Sequence, residues 1–293
     1  MNASRAALPL ALACLSLGAR AESSLAERYA NSSLLALDEP TDPQPVDWTI
    51  RAEPSVWWVA MSGDFRVPGT TTAGSRFGLR DLDLDEPSAS PFLELHYRNG
   101  PWRLSLSGFY IESDGSATAF RPGSFGDVPF AIGDTIDASA SLFSGQLAVG
   151  YLFEPYRASP NQTGGFDVES WIELTGGVRA YAVDFDATVN GTASAGTDQL
   201  FAEPFAGVKW TLELIEEFTI DTELTLGGFS TGSERRSFGV DIIVGLNWRP
   251  TPNFGAQLGY RQLAFGLYDG NGIDEFEWRG AVAGVYGGLE LRF

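Results

Sequence analysis

The feature of this sequence that most restricts its fold is an alternation of apolar and polar side chains, repeated in ten segments. Successive side chains of a β-strand point to opposite faces, so the alternation predicts strands with one apolar and one polar face. It is clearest at the C-terminus, where Leu289 and Leu291 alternate with Glu290. The segments cover approximately residues 57–67, 92–98, 102–111, 138–153, 171–183, 201–212, 218–229, 238–249, 254–266 and 281–293.

The connections between these segments alternate in length. Short ones cover residues 99–101, 213–217 and 250–253, and an intermediate one covers 154–167. Long polar ones cover residues 68–91, 112–137, 184–200, 230–237 and 267–277. Short turns at one rim and long loops at the other are typical of transmembrane barrels with an even number of strands. The sequence therefore predicts an all-β fold, a transmembrane antiparallel up-and-down β-barrel of about ten strands, with eight or twelve as alternatives.

The N-terminus has the three parts of a secretory signal peptide. Arg5 precedes the apolar run Ala6–Leu17, and Ala19-Arg20-Ala21 forms a small-residue cleavage site. The apolar run is too short to span a bilayer as a helix. Residues 22–47 are rich in acids and prolines and predict an irregular periplasmic leader. We therefore expect a signal peptide (1–21), this leader (22–47) and a barrel (48–293), with both termini of the mature chain in the periplasm.

Composition excludes several classes of function. The chain has 38 acidic and 19 basic side chains and a net charge of −19, so it lacks the basic surface that binds nucleic acid. Cys14 is the only cysteine and lies in the signal peptide. The mature chain therefore has no disulfide and no thiolate nucleophile or metal ligand.

Aromatic residues gather near the short-turn ends of the predicted strands, where a belt at the level of the lipid headgroups belongs. They are Tyr97, Trp102, Tyr151, Phe153, Trp171, Trp210, Phe218, Trp248, Phe254 and Phe293. This belt favours a barrel in a membrane over a soluble β-sandwich, which would place such residues in its core at no fixed height.

The C-terminal segment Tyr286–Phe293 follows the order polar-x-Gly-x-x-apolar-x-aromatic, with Tyr286, Gly288, Leu291 and Phe293 at the defined positions. This segment resembles the C-terminal assembly signal of Gram-negative outer-membrane β-barrel proteins of the small, monomeric type. The resemblance covers only these residues and identifies no subfamily. It implies insertion by the outer-membrane assembly machinery and a location in the cell outer membrane.

The polar register of the strands predicts a lumen with equal numbers of acids and bases. The expected acids are Asp64, Glu94, Glu173, Glu203, Asp221, Glu223, Asp241 and Glu290. The expected bases are Arg66, Arg98, Arg103, Arg179, Lys209, Arg249, Arg261 and Arg292. Charges in a narrow interior are tolerated when they are paired, so this balance favours ion pairs that close the lumen. A selective pore would show a bias of one sign.

Known catalytic and metal-binding patterns do not fit. The only histidine, His96, lies near the short 99–101 turn, whereas an omptin-like protease uses an Asp/His pair at the external rim. We expect His96 to face the lumen beside Glu94 and Arg98. In the series Asp81, Asp83 and Asp85, a glutamate and Phe92 replace the glycine and the bidentate glutamate of an EF-hand. The sequence therefore predicts no catalytic residue, cofactor or specific metal site.

We expect a non-enzymatic outer-membrane barrel with a charge-balanced, occluded lumen and acidic external loops, serving envelope integrity or surface interaction. The alternative is a narrow porin-like channel for small solutes, and a weaker alternative is an omptin-like rim hydrolase. The expected partners are outer-membrane lipid, lipopolysaccharide and the assembly machinery, and the acidic loops would hold divalent cations loosely.

Overall fold

The computed structural model describes residues 49–158, 168–215, 217–232 and 234–293. The predicted signal peptide (1–21), the leader (22–47) and Cys14 lie outside the described residues. Within these ranges no helix is long and apolar enough to cross a bilayer.

Nearly all of the described chain is in β-strands. In chain order they are β1 (Ile50–Arg66), β2 (Arg76–Gly78), β3 (Ser88–Asn99), β4 (Trp102–Thr118), β5 (Gly123–Phe125), β6 (Val128–Phe130), β7 (Thr135–Leu152), β8 (Tyr156–Ala158), β9 (Val168–Val189), β10 (Ala193–Ile215), β11 (Phe218–Thr231), β12 (Arg235–Thr251), β13 (Phe254–Asp269) and β14 (Phe276–Arg292). A short 3₁₀ turn, Leu79–Leu82, follows β2.

Ten of these strands form a closed barrel. Each pairs antiparallel with its neighbours in the order β1-β3-β4-β7-β9-β10-β11-β12-β13-β14. Strand β14 then pairs with β1, from Arg51 opposite Arg292 to Arg66 opposite Glu277. The predicted all-β barrel of ten antiparallel strands is therefore confirmed.

The two ends of the barrel differ in their connections. At the terminal rim, where β1 begins and β14 ends, Ile50 and Phe293 exchange backbone hydrogen bonds of 3.1 and 2.9 Å. The short β3–β4, β10–β11 and β12–β13 turns lie at this rim. The opposite end, the loop rim, carries the connections 67–87 and 119–134, which contain β2, β5 and β6.

Wall residues point alternately inward and outward, as the sequence pattern predicts. On β13, for example, Leu258 is 63% exposed on the outside and Gln257 is 7% exposed in the lumen. On the terminal-rim half of β9, Glu173 and Arg179 point inward while Ile172 and Leu174 are exposed outside.

Near the loop rim the polarity of the two faces is reversed. On β1 the inward residue is Phe65, and Asp64 is exposed on the outside. Arg66 also lies outside the lumen, where it pairs with Glu275. The prediction that Asp64 and Arg66 face the lumen is therefore wrong. It assumed that the polar face of every strand points inward, and this holds only for the half of the barrel near the terminal rim.

The same reversal explains a second error. The predicted long loop 184–200 is a continuous hairpin of β9 and β10, with Asn190 and Gly191 in its turn at φ of 50° and 65°. An Asn-Gly pair with positive φ at both positions is typical of a tight hairpin turn. The acids Asp184, Asp186 and Asp198 therefore lie on the outer face of the barrel wall rather than in a loop.

The loop rim is closed by segments from two connections. Strand β2 pairs with the end of β1, and the chain that follows buries Leu79, Leu82 and Leu84. The β5–β6 hairpin buries Phe125, whose ring lies 4.5 Å from that of Phe77. These side chains pack in one cluster with the inward residues of the wall, and we call them the plug.

Candidate functional site

The lumen near the terminal rim is filled by buried ion pairs. Glu173 on β9 lies between Arg98 on β3, at 2.8 Å, and Arg103 on β4, at 2.6 Å. All three side chains are buried. A carboxylate shared by two guanidinium groups links three strands across the interior.

A second group of charges lies at mid-height. Arg179 on β9 is 3.3 Å from Asp241 on β12 and 3.6 Å from Glu203 on β10, and Arg261 on β13 is 2.7 Å from Asp241. The Tyr181 hydroxyl donates to Glu203 at 2.8 Å. Because these groups satisfy one another, a charged layer is tolerated in the interior.

The structure also places the remaining predicted lumen residues inside the barrel. Lys209 pairs with Asp221 at 3.5 Å, and Arg292 pairs with Glu290. Arg249 pairs at 3.1 Å with Glu213, which the sequence pattern had assigned to a turn. Glu94 and Glu223 point inward without an ion pair to another described residue.

One buried pair was missed. Arg51 and Glu53, 2.7 Å apart, both face the lumen on β1. Strand β1 begins at Ile50, ahead of the predicted start at residue 57. The Ile50-Arg51-Ala52-Glu53 alternation was the signal that could have identified them.

A polar cluster surrounds His96 at the terminal-rim end, on the face where the sequence places it. His96 Nδ1 lies 2.9 Å from Ser105 Oγ, and its Nε2 lies 3.9 Å from Glu53 Oε2. A hydroxyl, imidazole and carboxylate in this order are the components of a serine hydrolase. Ser105, His96 and Glu53 are only 9, 5 and 4% exposed, so a substrate carbonyl has no approach to the hydroxyl.

The same cluster contains possible metal ligands. One ligand atom each from Glu53, Glu94 and His96 lie within 4.8 Å of one another. Carboxylate and imidazole are ligands that Zn²⁺ accepts. Arg51 already neutralises Glu53 at 2.7 Å, and this neighbouring positive charge opposes the binding of a cation.

Above the charged layers the lumen is closed by aromatic rings. Phe65 on β1 stacks on Phe185 on β9 with ring centroids 4.6 Å apart, although these strands lie nearly opposite each other in the barrel. Tyr181 and Phe265 also meet across the lumen at 5.9 Å. Phe65, Phe185 and Trp278 have 0% exposure. The expectation of closure by ion pairs alone missed this layer, because the pattern made Phe65 an outward residue and assigned Phe185 to the 184–200 loop.

Arg261 joins the charged and aromatic layers. Its guanidinium carbon lies 5.6, 4.8 and 5.0 Å from the ring centroids of Trp57, Phe92 and Phe109. The same side chain pairs with Asp241. A guanidinium against aromatic faces is stabilised electrostatically, most strongly where water is excluded.

The acids of the loop rim have structural contacts of their own. Asp81 accepts a hydrogen bond from the Gly78 N–H at 3.2 Å and pairs with Arg121. Asp127 accepts hydrogen bonds from the N–H groups of Thr70, Thr71 and Thr72 at 2.8, 2.8 and 2.9 Å. Hydrogen bonds from the side chains and amides of Thr70 and Thr71, the Thr70 side chain first, hold the pKa of Asp127 far below its usual value.

The aromatic belt and the C-terminal motif have the following positions. Trp102, Trp210, Trp248 and Phe254 are exposed on the outside near the terminal rim. Phe293 is also exposed, and Leu291 is half-buried. Tyr286 points into the lumen, and a Cβ at Gly288 would lie 2.1 Å from Ser55 Oγ. Gly288 therefore lets β14 pack closely against β1, and the role of the motif in assembly stays a prediction.

No protein-family model matches the chain. No curated protein matches it either. Among solved structures it is similar to the outer membrane protease OmpT from Escherichia coli, with a TM-score of 0.48 and 11% identity over 89% of this chain and 100% of that one. It is also similar to Neisserial surface protein A, with a TM-score of 0.34 and 12% identity over 83% of this chain and 97% of that one.

A third similar structure is the P. putida toluene transporter TodX, with a TM-score of 0.27 and 10% identity over 88% of this chain and 93% of that one. The printed names give a protease, a surface protein and a transporter. Likeness at these scores assigns none of those activities to this chain.

Proposed function

We propose that this chain is an integral barrel of the Gram-negative outer membrane, with a lumen closed to solutes, that serves envelope integrity or surface interaction. The outer face of the barrel supports the membrane location. Side chains such as Leu106, Val178 and Leu258 are exposed there and belong to a continuous apolar band. An apolar surface of this extent is unfavourable in water and suits the hydrocarbon of a bilayer.

The height of this band matches the apolar band of outer-membrane barrels. On β12, outward apolar residues extend from Trp248 at the terminal rim to Phe238 towards the loop rim. Ten residues of a strand tilted by about 40° cover roughly 25 Å along the membrane normal, which is the height of the apolar band of outer-membrane barrels. The terminal rim, with its short turns, would face the periplasm, and the loop rim would face the exterior.

The observation that best supports a closed lumen is the stacking of Phe65 on Phe185, which come from nearly opposite strands of the barrel. Trp278 lies 5.7 Å from Phe65, and the plug residues Phe77 and Phe125 pack above them. A water-filled pore through this layer would expose some of these rings, whereas Phe65, Phe185 and Trp278 have no exposed surface. The arrangement favours an anchored, closed barrel over the porin-like alternative.

The non-enzymatic assignment is also part of the proposal. The hydroxyl, imidazole and carboxylate of Ser105, His96 and Glu53 are buried in the lumen near the terminal rim, away from the loop rim. The expected partners remain outer-membrane lipid, lipopolysaccharide and the assembly machinery, with loosely held divalent cations at the acidic loops.

Current recording in planar bilayers tests the closed lumen. Protein whose insertion is verified by heat-modifiable gel mobility should give no discrete current steps at fixed salt. The matched variant replaces Asp221 and Glu223 with Ala, which removes two carboxylates from the lumen and leaves Lys209 without Asp221. We expect this variant to be leaky or less stable. Discrete steps in the unmodified protein would establish the channel alternative.

A further inference from the structure

A cleft lies on the outside of the barrel near the loop rim, away from the lumen. It has a volume of about 520 Å³ and is formed by the outer ends of β11, β12, β13 and β14. The residues that determine its character are Phe229, Arg236, Phe238, Tyr268 and Arg279.

Two arginines share one aromatic ring in this cleft. The guanidinium carbons of Arg236 and Arg279 lie 4.6 and 5.5 Å from the centroid of the Tyr268 ring. Arg279 pairs with the buried Glu277 at 2.7 Å and its side chain is still 56% exposed. Arg236 forms no ion pair with another described residue and is exposed. Both guanidinium groups line the same cleft, and two positive groups there suit an anion with several oxygen atoms.

The floor of the cleft is apolar. Phe238 lies between Gly228 on β11 and Gly266 on β13, its two cross-strand neighbours. A Cβ at Gly266 would lie 2.2 Å from Cε1 of Phe238, so only glycine lets this ring lie against the wall. Phe238 remains exposed to the outside. The arginines are therefore bordered by aromatic surface on the side of the apolar band.

The height of the cleft places it where the apolar band ends. Below it, outward positions on β12 carry Val244 and Ile242, and Arg236 follows Phe238 by two residues towards the loop rim. Cations just above an aromatic residue at the edge of the hydrocarbon are at the level of lipid headgroups.

The opposite wall has the reverse charge. Six carboxylates are exposed on the outside of the loop-rim ends of β4, β7, β9 and β10: Glu112, Asp114, Asp137, Asp184, Asp186 and Asp198. An anion at the membrane surface is repelled from that wall and attracted to the arginines.

We propose that this cleft binds a phosphate group of lipopolysaccharide in the outer leaflet, with the phosphate between Arg236 and Arg279 and the adjoining lipid against Phe238. This inference rests on the proposed membrane location and orientation of the barrel. It commits to a lipid phosphate rather than a free anion because the arginines and the exposed aromatic floor form one continuous surface.

The test compares folded barrels in detergent for binding of purified lipopolysaccharide, of the same lipid with its phosphates removed, and of inorganic phosphate. The variant replaces Arg236 and Arg279 with Gln. The control replaces Arg121 and Arg157, two exposed arginines outside the cleft, with Gln and so removes the same charge. We expect the cleft variant to bind lipopolysaccharide roughly tenfold or more weakly than the control. Removing the lipid phosphates should abolish this difference.

Equal affinity of the two variants for lipopolysaccharide would overturn the proposal, as would competition by inorganic phosphate at the same concentration. If the cleft variant does not fold, hydrogen exchange on the unmodified protein replaces it. Lipopolysaccharide should then protect residues 228–238 and 266–268, and a lack of protection there overturns the proposal. Heat-modifiable mobility and outer-membrane fractionation report on the barrel itself, so failure of the cleft and failure of the proposed function remain distinguishable.

Discussion

The two halves of the barrel wall are built on the same strands with opposite polarity. On β9, Glu173 points inward and Leu174 outward near the terminal rim, whereas Phe185 points inward and Asp186 outward near the loop rim. The pairing of β9 with β10 and β7 continues through both halves without a shift of register. With the proposed membrane location, the difference teaches that the medium outside the wall, lipid in one half and water in the other, determines which face carries the apolar residues.

The halves also close the lumen by different interactions. Near the terminal rim and at mid-height, charged side chains form ion pairs, such as Glu173 with Arg103 and Arg179 with Asp241. The desolvation of such pairs offsets much of their attraction, so they add little net stability. Near the loop rim, aromatic rings and plug residues remove apolar surface from water, which is stabilising. We therefore expect the loop-rim half to supply most of the stability.

The largest effect should come from removing the stacked rings. Replacing both Phe65 and Phe185 with Ala should lower the free energy of unfolding by roughly 5 kcal/mol or more, because each loss leaves a cavity in a packed core. Phe143→Ala, on the outer face, is the control and should cost much less. Denaturant unfolding in detergent measures both. Similar losses for the double variant and the control would mean that the loop-rim half is not a core.

A smaller effect is expected in the charged layer. Arg179→Met should cost about 3–5 kcal/mol, because Glu203 loses its ion-pair partner and Asp241 one of its two. Adding Glu203→Gln removes one of those carboxylate charges and should recover part of the loss. The same unfolding measurements, arranged as a double-mutant cycle, test this. If Glu203→Gln recovers none of the stability lost in Arg179→Met, Arg179 acts through packing alone.

Arginine substitutions at two positions on the outer face test the reversal of polarity directly. Leu258→Arg places a charge in the apolar band and should cost about 2–4 kcal/mol. Asp186→Arg, also outward but on the half proposed to face water, should change stability by less than about 0.5 kcal/mol. Folding into lipid vesicles compares them. If the two substitutions cost the same, the proposed membrane boundary between these positions is wrong.

The smallest effect concerns Asp127 in the turn between β5 and β6, beside the plug. Because its folded-state pKa is lowered, Asp127 contributes stability that is present above its unfolded pKa of about 3.9 and is lost as pH falls below that value. Hydrogen exchange at the Thr70, Thr71 and Thr72 amides should therefore accelerate below about pH 4, beyond the intrinsic change with pH, while exchange in β9 is unaffected. Asp127→Asn should show fast exchange of these amides at neutral pH. Equal protection in the variant would mean that other contacts hold the loop.

Much of the fold could be predicted from local pattern. Alternation identified all ten wall strands, and the facing of Leu258 and Gln257 followed from the same pattern. The lumen side of Glu173, Arg179 and Asp241 was also predictable, because in the half near the terminal rim the polar face is the inner one. The errors at Asp64 and in the 184–200 segment share one cause, which is that the meaning of the pattern changes where the wall leaves the apolar band.

The sequence by itself determined the β-barrel class, the strand number and the inward or outward parity of most wall positions, because a two-residue period is a local property of extended chain. Only the tertiary structure decided which inward residues meet. The pairing of Glu173 with Arg98 and Arg103 and the stacking of Phe65 on Phe185 depend on the curvature of the barrel, which brings together strands distant in sequence. The two arginines beside Tyr268 depend on the register of the paired strands β12, β13 and β14. No local pattern encodes which partners the ring of strands places opposite one another.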